Sequence, residues 1–362
     1  MGVGAGQIKI IAVVGPTAVG KTQVAIELAS WLGGEIVSAD SMQIYKGMDI
    51  GTAKPDAEER RRAVHHMIDF ADPSRGFSVA EYQAMARERI AEIAGRGVLP
   101  IIAGGTGLYV NAILFDMDFS ATPKDAGLRR RYEAEAAGAG PEALHARLKA
   151  ADPEAAARIH PNNVKKVIRA LEILEGSMAV APFSESFRPF GGYCPHIIGL
   201  TRDREELYSR IERRVDALIG AGLVEEVRGL YGSGVWEMAG GVPEAEAALD
   251  GGIAMAGTLA SSEGIAMAGP LDSSEGIVDG NISIKGIGYK EIVGHLRGEY
   301  DLDHAISLIK RNSRRYAKRQ LTWFRRYPDV QWFNLSEGEE AAIWHIKATL
   351  AEAPLNGAKR NG

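Results

Sequence analysis

The chain has 362 residues and a formal net charge of −5, with 46% hydrophobic and 25% charged residues. This composition is typical of a globular protein and excludes global disorder. Apolar runs such as Ile8–Val14 are too short to span a bilayer, and no secretory signal pattern opens the chain. Cys194 is the only cysteine, which excludes an internal disulfide and a cysteine-based zinc site. We therefore expect a cytoplasmic protein with no membrane segment, large enough for one α/β domain and a smaller one.

The N-terminal part of the chain alternates strand-like and helix-like patterns. Apolar runs predict strands over Ile8–Val14, Glu35–Ser38 and Val98–Ala103, and amphipathic patterns predict helices over Lys21–Leu32 and Tyr82–Ala94. This alternation predicts an α/β fold, with a parallel sheet flanked by helices on both faces. Ligands of such sheets bind outside the carboxyl ends of the strands. We expect the side chains that follow these strands to converge on one site.

A glycine-rich loop follows the first predicted strand and opens the first predicted helix. It reads Gly15-Pro16-Thr17-Ala18-Val19-Gly20-Lys21-Thr22 and matches the G-x-x-x-x-G-K-T pattern of P-loop NTPases. In this pattern, main-chain amides and the helix N-terminus surround a phosphate. Lys21 would supply a positive charge, and the Thr22 hydroxyl would ligate Mg²⁺. The loop predicts a polyphosphate ligand but leaves its identity open.

The chain divides into an interrupted core and several added segments. We predict that residues 8–123 and 194–335 form the P-loop α/β core, and that 124–193 form an inserted helical subdomain. Residues 239–281 form a low-complexity insertion, and 336–362 a C-terminal tail. The insertion contains a near-perfect tandem repeat of a 12-residue unit, over 252–263 and 264–275. Two copies are too few for a solenoid, so we expect a flexible surface loop.

A basic segment near the C-terminus suggests a nucleic-acid partner despite the negative net charge. Lys310–Arg326 contains eight Lys or Arg residues, no acidic residue, and interleaved aromatics such as Tyr316 and Trp323. Such a pattern suits contact with RNA phosphates and bases, because local charge matters more than the sum. An ordinary solvated helix face is the alternative, although such faces usually mix charge signs.

Four further motifs give the sequence a specific resemblance. They are residues 40–55 (DSMQIYKGMDIGTAKP), 104–109 (GGTGLY), 287–291 (IGYKE) and 315–324 (RYAKRQLTWF). With these motifs the chain resembles the tRNA dimethylallyltransferases, the tRNA isopentenyltransferases of bacterial type. The resemblance covers about residues 8–335 apart from the repeat insertion. A Cys/His pair after the basic segment, as in the zinc finger of eukaryotic relatives, is absent from the sequence.

The resemblance implies transfer of a dimethylallyl group from dimethylallyl diphosphate to the exocyclic N6 amine of the adenosine 3′ to the anticodon, with release of pyrophosphate. Lys21, Thr22 and Arg214 would hold the diphosphate with Mg²⁺, and fixed cations there would stabilise the departing pyrophosphate. Asp40 would be the base or hydrogen-bond acceptor for the amine. Arg214 as a helix-surface residue, and Asp40 as a helix cap or an outer magnesium contact, are the alternatives.

The resemblance also implies a binding surface for the tRNA anticodon stem-loop, whose target base would be taken out of its stack into a pocket. The residues that match its contacts are Asp40, Ser41, Met42, Gln43, Thr106, Arg129, Lys165, Lys166, Arg169, Ile284, Lys285, Gly286, Ile287, Gly288 and Tyr289. Lys165-Lys166 stand where many relatives have Gln-Arg, which keeps the charge but not an amide contact. Thr106 could instead be a helix cap, and Gln320 and Trp323 could be packing residues.

Two other classes of protein compete with this interpretation. A small-molecule or nucleotide kinase would use the same phosphate loop but leaves the basic segment unexplained. A non-catalytic RNA-binding protein or a GTP-dependent switch is the second alternative, but a guanine-reading Asn-Lys-x-Asp motif is absent from the sequence. The order of Asp40, Thr106 and the 287–291 motif favours prenyl transfer over both. We expect the enzyme to act as a monomer.

Overall fold

The computed structural model describes residues 7–117, 126–176, 188–233 and 283–352. In these residues six strands form one sheet in the order β3-β2-β4-β1-β5-β6, and every neighbouring pair is parallel. The strands are β1 Ile8–Val14, β2 Glu35–Ser38, β3 His65–His66, β4 Pro100–Gly104, β5 Tyr193–Thr201 and β6 Val330–Asn334. The predicted parallel α/β sheet is therefore confirmed. None of the described helices is long and apolar enough to cross a membrane.

Helices cover both faces of this sheet. The described α-helices, including four that form a separate unit, are α1 Lys21–Leu32, α2 Ala57–Arg62, α3 Val79–Gly95, α4 Gly107–Leu114, α5 Ala126–Ala139, α6 Pro141–Ala151, α7 Pro153–Arg158, α8 Val164–Glu175, α9 Arg204–Gly220, α10 Leu223–Gly232, α11 Tyr289–Leu296, α12 Leu302–Phe324 and α13 Glu339–Glu352. The residues of the central strand β1 explain why helices pack on both faces. Ile10 and Ala12 point into the core shared with α3, α4 and α12, whereas Ile11 and Val13 point into the core shared with α1 and α13. A strand buried on both faces reads as a continuous apolar run.

Helices α5 to α8 form a separate packed unit between α4 and β5. Their core contains Tyr132, Leu144, Leu148, Val167 and Leu171, and belongs to neither core of the sheet. α8 is strongly amphipathic, which explains why its apolar residues at helical spacing turn inward. This unit corresponds to the helical subdomain expected over 124–193, and its part in RNA binding stays a prediction.

The structure extends the sequence interpretation at the C-terminus. Most of the described part of the tail predicted over 336–362 forms the helix α13. Ile346 and Leu350 of this helix are buried in the core on the α1 side of the sheet. The sequence analysis does not predict the edge strand β6, whose five residues, VQWFN, lack the continuous apolar run seen in β1. The repeat insertion at 239–281 lies outside the described residues.

Candidate active site

The phosphate loop, Gly15–Thr22, connects β1 to α1 at the carboxyl end of the sheet. Gly15 has φ 152°, and a Cβ there would lie 2.6 Å from the carbonyl oxygen of Leu200. Ala18 and Gly20 also have positive φ values, 63° and 114°. Gly20 is the N-cap of α1 and makes no side-chain cap hydrogen bond. The tightly curled loop therefore presents the N-terminus of α1 to a ligand, as an anion site requires.

The phosphate loop forms one side of a cavity of about 480 Å³, called here the phosphate-loop cavity. Lys21, Thr22, Asp40, Arg213 and Arg214 are among the residues that line it. The Lys21 ammonium donates to the carbonyl of Pro16 at 2.8 Å. Burial lowers the pKa of Lys21 to about 7, the Asp40 carboxylate raises it, and Arg214 lowers it further. Burial also lowers the pKa of Arg214, and Asp40 opposes that shift. The predicted phosphate-binding cations Lys21 and Arg214 thus lie together, close to the Asp40 carboxylate.

Asp40 follows β2 and lies where the phosphate-loop cavity meets a second cavity of about 500 Å³, the adjoining cavity. Both cavities are lined by Thr17, Ala18, Asp40, Arg214 and Tyr316. Oδ1 of Asp40 accepts the main-chain N–H of Met42 at 2.9 Å, which closes a turn and caps no helix. The helix-cap alternative for Asp40 is therefore wrong.

Thr106 stands at the N-cap position of α4, but its side chain makes no cap hydrogen bond. Its Oγ1 instead accepts the main-chain N–H of Ser41 at 3.0 Å and donates to the Ser41 hydroxyl at 3.2 Å. Thr106 is 5% exposed and still lines the adjoining cavity. The end of β4 therefore holds the turn that carries Asp40.

Gln43 lines the phosphate-loop cavity, but its amide group is already engaged within the protein. Its Oε1 accepts from the Ser38 hydroxyl at 3.1 Å, and its Nε2 donates to the carbonyl of Ala53 at 3.2 Å. Met42, by contrast, lines the adjoining cavity. Gln43 thus fixes the shape of residues 40–53 through hydrogen bonds across the loop.

The helical unit supplies one rim of the adjoining cavity through Arg129 and Lys165. Arg129 binds the Glu172 carboxylate through Nε at 2.8 Å and Nη2 at 3.1 Å, and Arg169 Nη1 lies 3.3 Å from the same group. Lys165 is exposed, whereas Lys166 is half-buried and does not line this cavity. Of these predicted RNA contacts, only Arg129 and Lys165 line the adjoining cavity, which Asp40 also lines.

The segment before α11 forms another wall of the adjoining cavity, through Lys285, Gly286, Ile287 and Gly288. Tyr289 differs from the prediction, because its side chain is 1% exposed and lies behind this wall. Its hydroxyl donates to Glu226 at 2.7 Å. Ile284 is half-buried and packs against the core. The Tyr289 side chain thus binds Glu226 behind the cavity wall, and an RNA contact of this residue stays a prediction.

The basic segment forms most of α12 and continues two residues past its end, and only part of it faces the cavities. Tyr316 and Arg319 line the adjoining cavity. Lys310 pairs with Asp216 at 2.6 Å, and Arg314 pairs with Glu212, so two of its cations bind α9. Trp323 is 1% exposed and packs in the core, whereas Gln320 is 2% exposed but still lines the phosphate-loop cavity.

Two arginines of α9 were missed by the sequence analysis. Arg210 and Arg213 line the phosphate-loop cavity with Arg214, and Arg210 Nε donates to the carbonyl of Ala18 at 3.0 Å. The spacing of these residues, i, i+3 and i+4, places all of them on one face of a helix. That spacing is the sequence signal from which Arg210 and Arg213 could have been predicted. Arg214 is half-buried at the cavity, which argues against its being an ordinary surface residue.

Thr22 is the one predicted metal ligand, and it lines the phosphate-loop cavity. Within the described ranges no group of three or more His, Cys, Asp or Glu side chains could hold a metal ion. A divalent ion there would depend on the Thr22 hydroxyl and on oxygens of a bound phosphate. Mg²⁺ fits such a site, because it keeps several waters and binds through substrate phosphates.

Known proteins share both the sequence and the fold. Residues 43–327 match the family model described as IPP transferase. The chain is 47% identical over 330 residues to the tRNA dimethylallyltransferase of Alkaliphilus oremlandii, covering 91% of this chain and 92% of that one. It is 46% identical over 338 residues to the enzyme of the same name from Geobacillus thermodenitrificans, covering 92% and 93%.

Solved structures agree with these matches. The full-length tRNA isopentenylpyrophosphate transferase of Bacillus halodurans is 41% identical, with a TM-score of 0.63 and coverage of 95% of this chain and 96% of that one. A eukaryotic dimethylallyltransferase acting on tRNA is 25% identical, with a TM-score of 0.71 and coverage of 97% and 81%. The predicted family and its P-loop-like fold are thus confirmed, and the chain belongs to the IPP transferase family.

Proposed function

We propose that this protein transfers the dimethylallyl group of dimethylallyl diphosphate to N6 of the adenosine 3′ to the anticodon in tRNA, releasing pyrophosphate. The observation that carries the proposal is the position of Asp40. Asp40 lines both the phosphate-loop cavity, with its cationic side chains, and the adjoining cavity, whose lining combines apolar and polar residues. A donor diphosphate in the first cavity and an adenine in the second would meet beside this carboxylate.

The phosphate-loop cavity suits a diphosphate that becomes a leaving group. Breaking the allylic C–O bond places an additional negative charge on pyrophosphate, and cations fixed nearby stabilise that charge as it develops. Lys21 and Arg214 are both held at this cavity, with the N-terminus of α1. Mg²⁺, held by Thr22 and the phosphate oxygens, would neutralise part of the same charge. Burial strengthens these electrostatic interactions, because the local dielectric constant is lower than in water.

Asp40 is suited to accept the proton of the adenine amine. The new C–N bond forms as the C–O bond breaks, and the amine must then lose one proton. The electron pair of the C–O bond leaves with pyrophosphate, and the proton passes to the Asp40 carboxylate and then to water. The turn closed by the Met42 amide and held by Thr106 fixes the carboxylate for this step.

The adjoining cavity has the composition that an allyl group and a displaced base require. Leu108, Ile211, Val215 and Leu218 provide apolar lining, and Tyr109 provides an aromatic side chain. Bases in RNA loops splay out readily and are held by stacking and by contacts to their edges. Exposed cations around the cavity, including Lys165 and Arg319, would contact the phosphates of the anticodon stem-loop.

The kinase alternative finds no support among the relatives reported above, which are named transferases acting on tRNA. The two functions differ in the atoms that move, so one experiment separates them. Unmodified tRNA is incubated with the protein, Mg²⁺ and either dimethylallyl diphosphate or ATP. The tRNA is then digested, and the masses of the released nucleosides are measured by mass spectrometry. We expect an adenosine heavier by one C₅H₈ unit with the first donor only. Phosphoryl transfer from ATP without prenylation would reject the proposal.

A further inference from the structure

The carboxylate of Glu226, in the first turns of α10, accepts hydrogen bonds from four donors on two separate segments. The main-chain N–H groups of Asp49, Ile50 and Gly51 donate to it at 2.8, 2.7 and 3.0 Å. The Tyr289 hydroxyl donates at 2.7 Å. A carboxylate has about four acceptor positions, so this one is fully used. Three consecutive amides around one anion form the kind of nest that otherwise binds a ligand.

Both segments held by Glu226 are walls of the adjoining cavity. Gly51 and Thr52 line it on one side, and residues 285–288 line it on another. Glu226 itself does not line this cavity and contacts its walls from behind. Its four donors all lie outside the phosphate loop. The carboxylate can therefore affect the base-receiving side of the site without touching the diphosphate side.

The segments that Glu226 joins are closely packed against each other. A Cβ on Gly51 would lie 2.5 Å from the Tyr289 ring. Burial and the Glu226 carboxylate raise the pKa of Tyr289, so its hydroxyl stays protonated and donates. Gly222, the N-cap of α10, has φ 100° and would place a Cβ 3.8 Å from Ile50. The start of α10 is thus closely fitted to both walls.

We propose that Glu226 is a positioning residue for the RNA substrate, whose carboxylate holds residues 49–51 and 285–289 in the arrangement that receives the displaced base. This inference rests on the proposed function. An amide at this position would turn an N–H₂ group toward N–H donors, which leaves buried donors unpaired and displaces the walls. Glu226→Gln should therefore weaken RNA recognition while diphosphate binding persists.

Glu225 offers a matched control. It precedes Glu226 in α10, its side chain is 69% exposed, and its nearest cation is Arg228 at 3.7 Å. Glu225→Gln and Glu226→Gln remove the same charge from consecutive positions of one helix. A difference between them therefore reports the hydrogen bonds and not the net charge.

The experiment measures KM and kcat with an unmodified anticodon stem-loop RNA, and the affinity for inorganic pyrophosphate, for the wild type and both variants. We expect Glu226→Gln to raise KM for the RNA about tenfold, equivalent to about 1.4 kcal/mol, with kcat and pyrophosphate affinity close to wild type. Glu225→Gln should match the wild type throughout. An unchanged RNA KM in Glu226→Gln would overturn the inference, and so would an equal loss of pyrophosphate affinity, which indicates general destabilisation.

Tyr289→Phe provides a second test if Glu226→Gln does not fold, because it removes one hydrogen bond and keeps the ring. It should raise the RNA KM about fivefold, in line with a single hydrogen bond. An unchanged KM in that variant would overturn the inference. A wild type that binds the RNA but transfers no dimethylallyl group would instead reject the proposed function, so the two failures are distinguishable.

Discussion

Gln320 accepts a hydrogen bond from the main-chain N–H of Thr17 at 2.8 Å, although 303 residues separate the two in the sequence. The other end of the same amide donates to the carbonyl of Gly105 at 2.8 Å. One buried side chain of α12 therefore joins the phosphate loop to the turn that precedes α4. This turn also carries Thr106, which holds the segment of Asp40. The diphosphate side and the base side of the site thus share one hydrogen-bonded frame.

Replacement of Gln320 by leucine should weaken diphosphate binding about tenfold. The variant leaves the Thr17 N–H and the Gly105 carbonyl without these partners, and an unpaired buried polar group costs about 1–3 kcal/mol. Calorimetric titration with a non-hydrolysable thiolo analogue of dimethylallyl diphosphate measures the effect. Gln331→Leu, at an exposed position of β6, is the control. Equal affinities for the two variants would show that the phosphate loop does not depend on Gln320.

Asp40→Asn should lower turnover by at least about 100-fold, the scale of a lost proton acceptor, while diphosphate binding persists. The asparagine oxygen can still accept the Met42 amide, so the turn is retained, but the side chain cannot take a proton. Single-turnover transfer to tRNA measures the chemical step. Asp303→Asn, exposed in the first turn of α12, controls for the lost charge. Near-normal turnover of Asp40→Asn would remove Asp40 from the chemistry.

Diphosphate affinity should fall as the pH rises above about 7, where Lys21 loses its proton in the free protein. Burial is the largest cause of this lowered pKa, and a bound diphosphate favours the charged form. The unfolded chain keeps this proton up to the ordinary value of 10.5, so this group makes the ligand-free protein more stable as the pH rises from about 7 to 10.5. Titration of the thiolo analogue from neutral to alkaline pH measures the affinity. Lys21→Met should bind weakly with a flatter profile, and parallel profiles would contradict the assignment.

Removal of residues 252–275, the two repeat units, should leave turnover and RNA affinity close to those of the full chain. The sequence predicts a surface loop here, and shortening such a loop changes its closure entropy only slightly, because that cost grows slowly with length. Steady-state prenylation of tRNA and the thermal unfolding midpoint are compared for both forms. The removed residues lie outside the described structure, so the test is functional. A loss of RNA affinity with an unchanged midpoint would show that the insertion takes part in recognition.

The sequence was sufficient where function depends on local chain geometry. The bounds of β1, α1 and β2 agree with the predictions to the residue, since apolar runs and the Gly15–Thr22 pattern are local signals. It was insufficient where one residue serves distant parts of the chain. Gln320 and Glu226 look like ordinary polar helix residues, and only the fold shows what their side chains bind. Tyr289 belongs to a recognition motif, yet it acts from behind the cavity wall.

The most direct test of prenyl transfer to the adenine amine uses radiolabelled dimethylallyl diphosphate, Mg²⁺ and two anticodon stem-loop RNAs. One RNA carries adenosine 3′ to the anticodon, and the other carries purine riboside there, which lacks the exocyclic amine. The arrangement of Asp40 beside the phosphate-loop cavity predicts label in the first RNA and none in the second. Equal labelling of both RNAs, or no labelling of either while the labelled diphosphate is bound, would contradict it.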